Sequence, residues 1–166
     1  MEICIGLGSN LGKSEVEIEK ALEWLSRISL SQVTRSSLYS SAPLDCPEDS
    51  PPFINAVALI EYSDGVRYLL TQIKAYEEKR GRDLHGIRNA PRPIDLDILA
   101  AGPLEVNLPD LIIPHPRIGE RLFVLEPLAE LVPDLMVPGY DEKVSLLLEQ
   151  ARKQYPDQIC SKIKLP

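Results

Sequence analysis

Asn89-Ala90-Pro91-Arg92-Pro93-Ile94-Asp95-Leu96-Asp97-Ile98-Leu99 sets an arginine just ahead of two aspartates spaced by one leucine. From Ile94 to Ala101 the run is aliphatic and β-branched except for those carboxylates, which reads as a strand. A strand alternates its faces, so Asp95 and Asp97 point the same way, their Cα atoms about 6.5–7 Å apart, while Ile94, Leu96 and Ile98 point into a core. Two like charges on one face repel and call for a cation. Hard oxygen ligands with few other protein donors suit Mg²⁺ ions that also hold substrate phosphates. The alternative for any D-x-D is the solvent side of an edge strand. Pro91 and Pro93 stiffen the presentation of Arg92. Lys79, Arg80, Arg82, Arg88 and Arg92 also crowd one segment of a chain whose net charge is −7. A basic loop leading into paired carboxylates matches a metal-bound polyphosphate.

At 166 residues the chain is expected to form a single domain over 1–166, large enough to bury a substantial core. With 44% hydrophobic and 26% charged residues it has the composition of a globular protein, not a disordered one. The acidic balance argues against nucleic-acid binding. Cys4, Cys46 and Cys160 are odd in number and widely spaced, which indicates neither a disulfide framework nor a zinc site. No signal-like amino terminus and no bilayer-length apolar run is evident, so a cytoplasmic protein without membrane contact is expected.

Ile3 to Leu7 reads as a short strand closed by Gly6 and Gly8. Gly6-Leu7-Gly8-Ser9-Asn10-Leu11 lacks the third glycine of a dinucleotide loop and the lysine of a phosphate-binding loop. Ser14 and Glu17 form a capping-box pattern ahead of a helix over Glu15 to Arg27, with Ile18, Ala21, Leu22 and Leu25 inward and Trp24 at the core or its edge. Ser31 to Ser41 carries strand propensity, Pro43 to Pro52 a loop, and Phe53 to Glu61 a strand with Phe53, Asn55, Val57 and Leu59 on one face. From pattern alone Asn55 either satisfies local backbone or serves a ligand. Ser63 or Asp64 can cap a second helix, with Val66, Leu69, Leu70 and Ile73 buried, Glu77 inward and Gly81 as terminator. The order strand, helix, strand, strand, helix, strand is the split βαβ of an α+β, ferredoxin-like βαββαβ core. A proline-rich C-terminal extension and a third helix over Asp141 to Lys153 follow, and the tail after Pro156 is expected to be peripheral.

Five strings carry a resemblance: Gly8-Ser9-Asn10-Leu11-Gly12, Phe53-Ile54-Asn55-Ala56-Val57, Arg88 to Leu99, Pro114-His115-Pro116, and Phe123 to Glu130. From Gly8 to about Pro133 they resemble, in order, the motifs of 6-hydroxymethyl-7,8-dihydropterin pyrophosphokinase, a folate-pathway family. The resemblance implies ATP as co-substrate, a hydroxymethyl-dihydropterin as acceptor, and two Mg²⁺ ions on Asp95 and Asp97. By position it makes Arg82, Arg92, Asp95 and Asp97 catalytic, and Arg82, Arg92, His115 and Arg121 phosphate contacts. Glu77, Lys74, Arg88 and Ile98 fall on the nucleotide side. Gly8, Ser41, Ala42, Pro43, Leu44, Phe53, Asn55 and Phe123 form the pterin pocket, with two aromatic faces to sandwich a flat ring. Departures from the family pattern are Leu84 in place of a second arginine, Lys74 for a glutamine, Ser41 for a threonine and Asp45 for a glycine, with Arg88 able to supply the charge absent at Leu84.

No Cys or Ser stands in a nucleophile arrangement with a histidine, so in-line transfer is expected: the hydroxymethyl oxygen attacks the β-phosphorus and AMP leaves. The basic loop and the Pro43 to Pro52 loop are expected to close over ATP. A monomer is expected. The rival reading is a non-catalytic or divergent pterin- or nucleotide-binding paralogue. An RNA-binding ferredoxin-like domain is disfavoured by 5% aromatics, and an unrelated D-x-D phosphatase leaves the other motifs unexplained.

Overall fold

The computed structural model describes residues 1–164. Its elements are β1 (Glu2–Ser9), α1 (Ser14–Ile28), β2 (Thr34–Arg35), β3 (Tyr39–Ser41), β4 (Phe53–Glu61), α2 (Val66–Lys79), β5 (Asp95–Ala101), β6 (Val106–Leu108), β7 (Leu111–Ile113), α3 (Leu122–Leu131), α4 (Val144–Gln154) and β8 (Cys160–Lys162). The main sheet is antiparallel in the order β5-β1-β4-β3-β8, with β2 also on β4; β6 and β7 pair apart from it. Its first four strands realise the expected split βαβ.

Alternation along the strands builds one core on each face. Ile3, Ile5, Leu7, Ala56, Ala58, Ile60, Leu96 and Ile98 meet Ile18, Ala21, Leu22 and Leu25 of α1 and Leu69 and Ile73 of α2. Leu25, Leu69 and Ile5 are wholly buried, each contributing roughly 1.5–3 kcal/mol. Trp24 stacks on Tyr76 of α2 with ring centroids 4.6 Å apart, at the core edge as expected. On the opposite face Cys4, Val57, Leu99 and Ala100 pack under α3 and α4. Those two helices cover only part of that face and leave a cleft over the Phe53 and Asp95 ends of the strands.

Several local expectations are corrected. Ser31 to Ser41 is two short strands, because Ser36 turns its hydroxyl onto the Val57 N–H at 2.9 Å and interrupts the ladder. No capping box forms at Ser14: Ser14 accepts a hydrogen bond from Ser9, and the Glu17 carboxylate goes to Arg80 at the far end of α2. At α2 the cap position is Gly65, at φ 86°, with no side-chain cap from Ser63 or Asp64. The helix expected over Asp141 to Lys153 is the fourth, at Val144–Gln154; α3 precedes it. The α3 sequence is apolar almost all round and carries Pro127, so it shows no amphipathic period, and burial stabilises it instead. The tail is not peripheral. β8 adds to β3, and Ile163 donates its N–H to the Leu38 carbonyl; the last two positions lie outside the described residues.

β5 begins at Asp95, and between Ile98 and Ala100 its register on β1 shifts by one. Leu99 is the extra residue, so Leu99 and Ala100 both reach the α3/α4 side. Its carbonyl, released from the ladder, accepts the His115 N–H at 2.8 Å, which docks the Pro114-His115-Pro116 segment beside the strand.

The Glu17–Arg80 pair joins α1 to the end of α2 through two hydrogen bonds of 3.0 and 2.8 Å. The Arg80 hydrogen bonds hold the Glu17 carboxyl below its usual range despite opposing burial. Glu17→Gln is expected to lower unfolding free energy by about 1 kcal/mol at pH 7. Because the folded-state value is depressed, that advantage is present above pH 4.5 and is lost as pH falls through the lower folded value, so the wild-type and variant melting curves should converge in acid.

Candidate active site

Strand register composes the cleft end of the sheet. Gly8 pairs with Asn55 on one side and Asp95 on the other, and Gly6 pairs with Val57 and Asp97. Asn55, Gly8 and Asp95 therefore form one row across three strands, and Val57, Gly6 and Asp97 the next. A Cβ added at Gly8 would come within 3.4 Å of Asn55 Oδ1 and 3.5 Å of the Phe53 ring, and one at Gly6 within 3.3 Å of Leu99. The two glycines thus keep a hollow open between amide and carboxylates.

Phe53 and Phe123 line the same cleft, as do Ser41, Ala42, Leu44, Arg92, Asp97 and Arg121. Asn55 is buried and donates through Nδ2 to Ser41 Oγ at 2.7 Å. Its amide oxygen faces Gly8 and the cleft. Arg92 stands over the Phe53 ring at 5.2 Å and Arg121 over the Phe123 ring at 5.5 Å, geometries in which a guanidinium is held by the ring quadrupole. Both arginines keep a buried Nε with no hydrogen-bond partner among the described residues.

The charges are unevenly matched. Asp95 receives Arg82 on one oxygen and Arg92 at 2.9 Å on the other. Burial pushes its carboxyl up, but the two guanidiniums prevail and hold it below the usual range. The Asp97 carboxylate has no hydrogen bond or ion pair among the described residues; burial, and then the Asp95 charge, push it up to about 7. Glu77, 3% exposed, accepts from Arg82 and from the Leu96 N–H, both at 2.7 Å. Burial followed by Asp95 raises it to about 7. It braces Arg82 and the start of β5 from behind. Burial, then Arg121, drives His115 down to about 4, so the ring is neutral at pH 7. Its Nδ1 accepts the Arg117 N–H at 3.1 Å, which leaves the proton on Nε2.

Not every sequence-predicted residue arrives at the cleft. Pro43 lies in an adjoining recess with Ser41 and Leu44. Lys74 is exposed on α2 and does not line the cleft. Arg88 is exposed in the basic loop, in a recess shared with Arg82 and Arg92, and meets no carboxylate there. The Ile98 side chain is buried on the α1/α2 side of the sheet, because strand alternation turns it away from Asp97. Gly6, Cys46, Asn89, Val57 and Leu99 line the cleft without having been singled out as site residues. Gly6 is legible only through its register with Asp97, and Cys46 and Asn89 only through loop folding.

Residues 4–133 match the sequence profile of 7,8-dihydro-6-hydroxymethylpterin-pyrophosphokinase, HPPK. The chain is 40% identical over 137 residues to 2-amino-4-hydroxy-6-hydroxymethyldihydropteridine pyrophosphokinase of Pseudomonas aeruginosa, an overlap of 82% of this chain and 83% of the relative. It is 37% identical over 154 residues to the protein of that name from Haemophilus influenzae, an overlap of 92% of each. The fold is similar to that of Plasmodium falciparum HPPK-DHPS, with a TM-score of 0.73 at 14% identity; the match covers 94% of this chain and 43% of that longer one. With the profile spanning residues 4–133 and this identity sustained over most of the length, the chain belongs to the HPPK family.

Proposed function

We propose that the cleft transfers a pyrophosphoryl group from ATP to 6-hydroxymethyl-7,8-dihydropterin in folate synthesis, releasing AMP. The observation that carries this reading is the row Asn55, Gly8, Asp95, which sets an amide suited to a heterocycle edge two strands away from an acid pair ringed by arginines. Nothing in the cleft favours a binding-only paralogue.

Phe53 and Phe123 take the two faces of the pterin, and the Asn55 oxygen accepts from its edge. Arg82 and Arg92, now on Asp95, exchange carboxylate oxygens for phosphate oxygens when nucleotide enters. Their preorganised donors then face the charge that develops on the transferred group. Arg121 adds a third guanidinium, and neutral His115 donates from Nε2. Leu84 adds no charge, and the exposed Arg88 is placed to contribute only if the basic loop moves.

The acid pair also fits Mg²⁺. The Asp97 carboxylate is without a partner among the described residues, and no cluster of three or more metal-ligating side chains occurs among them. A site of two carboxylates completed by phosphate oxygens is the usual arrangement for this ion. Bound there, Mg²⁺ would neutralise the triphosphate and lower the charge barrier to attack. Asp95 and Asp97 would be its ligands, two ions being the expected number.

Three outcomes test this. Incubation with ATP, Mg²⁺ and the hydroxymethyl-dihydropterin should yield AMP and pterin pyrophosphate in equal amounts; ADP would contradict transfer at the β-phosphorus, and bound pterin without product would indicate the paralogue. Arg92→Ala should cut kcat by about 10²–10³ while leaving pterin affinity nearly unchanged by calorimetry. Asp97→Asn should abolish most turnover yet stabilise the ligand-free protein at pH 8. The raised Asp97 carboxyl supports stability only while protonated and loses that contribution as pH rises through about 7, so the melting-temperature gain should shrink toward pH 5.

A further inference from the structure

The Gly8-Ser9-Asn10 string has a task that pterin and metal contacts leave unused. Asn10 follows β1 directly and is 3% exposed. Arg92 lies between Pro91 and Pro93, neither of which has a main-chain N–H, so across those three residues the Arg92 N–H is the single backbone donor. Asn10 Oδ1 accepts that N–H at 2.9 Å, and the Asn10 N–H donates to the Arg92 carbonyl at 3.2 Å. Both backbone polar groups of Arg92 are thereby tied to one residue 82 positions away in the chain. The remaining Asn10 group, Nδ2, donates to the Pro51 carbonyl at 3.2 Å, two residues before Phe53. Pro52 between them offers no N–H of its own.

We propose that Asn10 is a positioning residue that sets the Arg92 guanidinium against the Phe53 ring, and so aligns the phosphate-binding arm with the pterin. The proposal rests on the role given to Arg92 above. The chemistry selects asparagine. One side chain must accept from Arg92 and donate to Pro51 from a buried position. Aspartate keeps the first bond but turns a carboxylate on the Pro51 carbonyl, alanine keeps neither, and serine is too short to span both. The distance from Arg92 Cα to its guanidinium magnifies any backbone shift, and misplacement by about 1 Å can cost on the order of 10²-fold in rate.

The test is a double-mutant cycle on kcat, with pterin KM and melting temperature recorded for each protein. Asn10→Ala should lower kcat about 10- to 100-fold. Added to Arg92→Ala, it should lower kcat no further, because the arm it aligns is already gone. Asn10→Asp should retain more kcat than Asn10→Ala while raising pterin KM, since only the Pro51 side is lost; it carries the cycle if Asn10→Ala does not fold. Losses that multiply in the double variant, or wild-type kcat in Asn10→Ala beside an impaired Arg92→Ala, overturn the proposal alone. Wild-type kcat in Arg92→Ala overturns the role of Arg92 and this proposal with it.

Discussion

Two half-buried carboxylates on one face of one strand cannot both stay charged unless cations surround them. This molecule resolves the conflict asymmetrically: Arg82 and Arg92 converge on Asp95, and Asp97 is left with its pKa near 7. Much of the surrounding structure serves that arrangement. Glu77 sits beneath Arg82 and the Leu96 N–H, Asn10 holds the backbone of Arg92, and Phe53 and Phe123 each support a guanidinium. Such a network is costly without a ligand, and on the proposed function a polyphosphate with its cation would supply the compensation.

The sheet fixes the spacing of this arrangement. Adjacent antiparallel strands lie about 4.8 Å apart, so Asn55 and Asp95, two strands apart with Gly8 between them, are separated by about 10 Å, a span that under the proposed function would take a bicyclic ring and its reacting substituent. Glycine at the middle position keeps that span open. The bulge at Leu99 then brings in His115, because a carbonyl without its ladder partner accepts the His115 N–H. The cleft is thus one continuous feature of three strands, and α3, by capping part of the face, contributes Phe123 and closes one side.

Features carried by short periods were legible in the amino-acid order. The apolar spacing of Ile18, Ala21, Leu22 and Leu25 and of Leu69 and Ile73 placed α1 and α2. The alternation around Asp95 and Asp97 placed both on one face, and the strand-helix order led to the split βαβ arrangement. The motif strings pointed to the family because they survive as contiguous text. What depends on neighbours distant in the chain was not legible: the bulge, the helical state of an apolar stretch carrying Pro127, the addition of β8 to β3, and the diversion of Glu17 from a local cap to Arg80. Lys74 and Ile98 show the converse, since matching position in a motif does not say which way a side chain points.

The sequence by itself therefore determined the segments with a clear apolar period and the facing of the aspartate pair, since these follow from backbone periodicity. Only the tertiary structure decided which cation meets which carboxylate, which glycine stands between which side chains, and which asparagine holds Arg92. Those are properties of register and packing between segments tens of residues apart, where a few ångströms decide whether a donor and an acceptor meet.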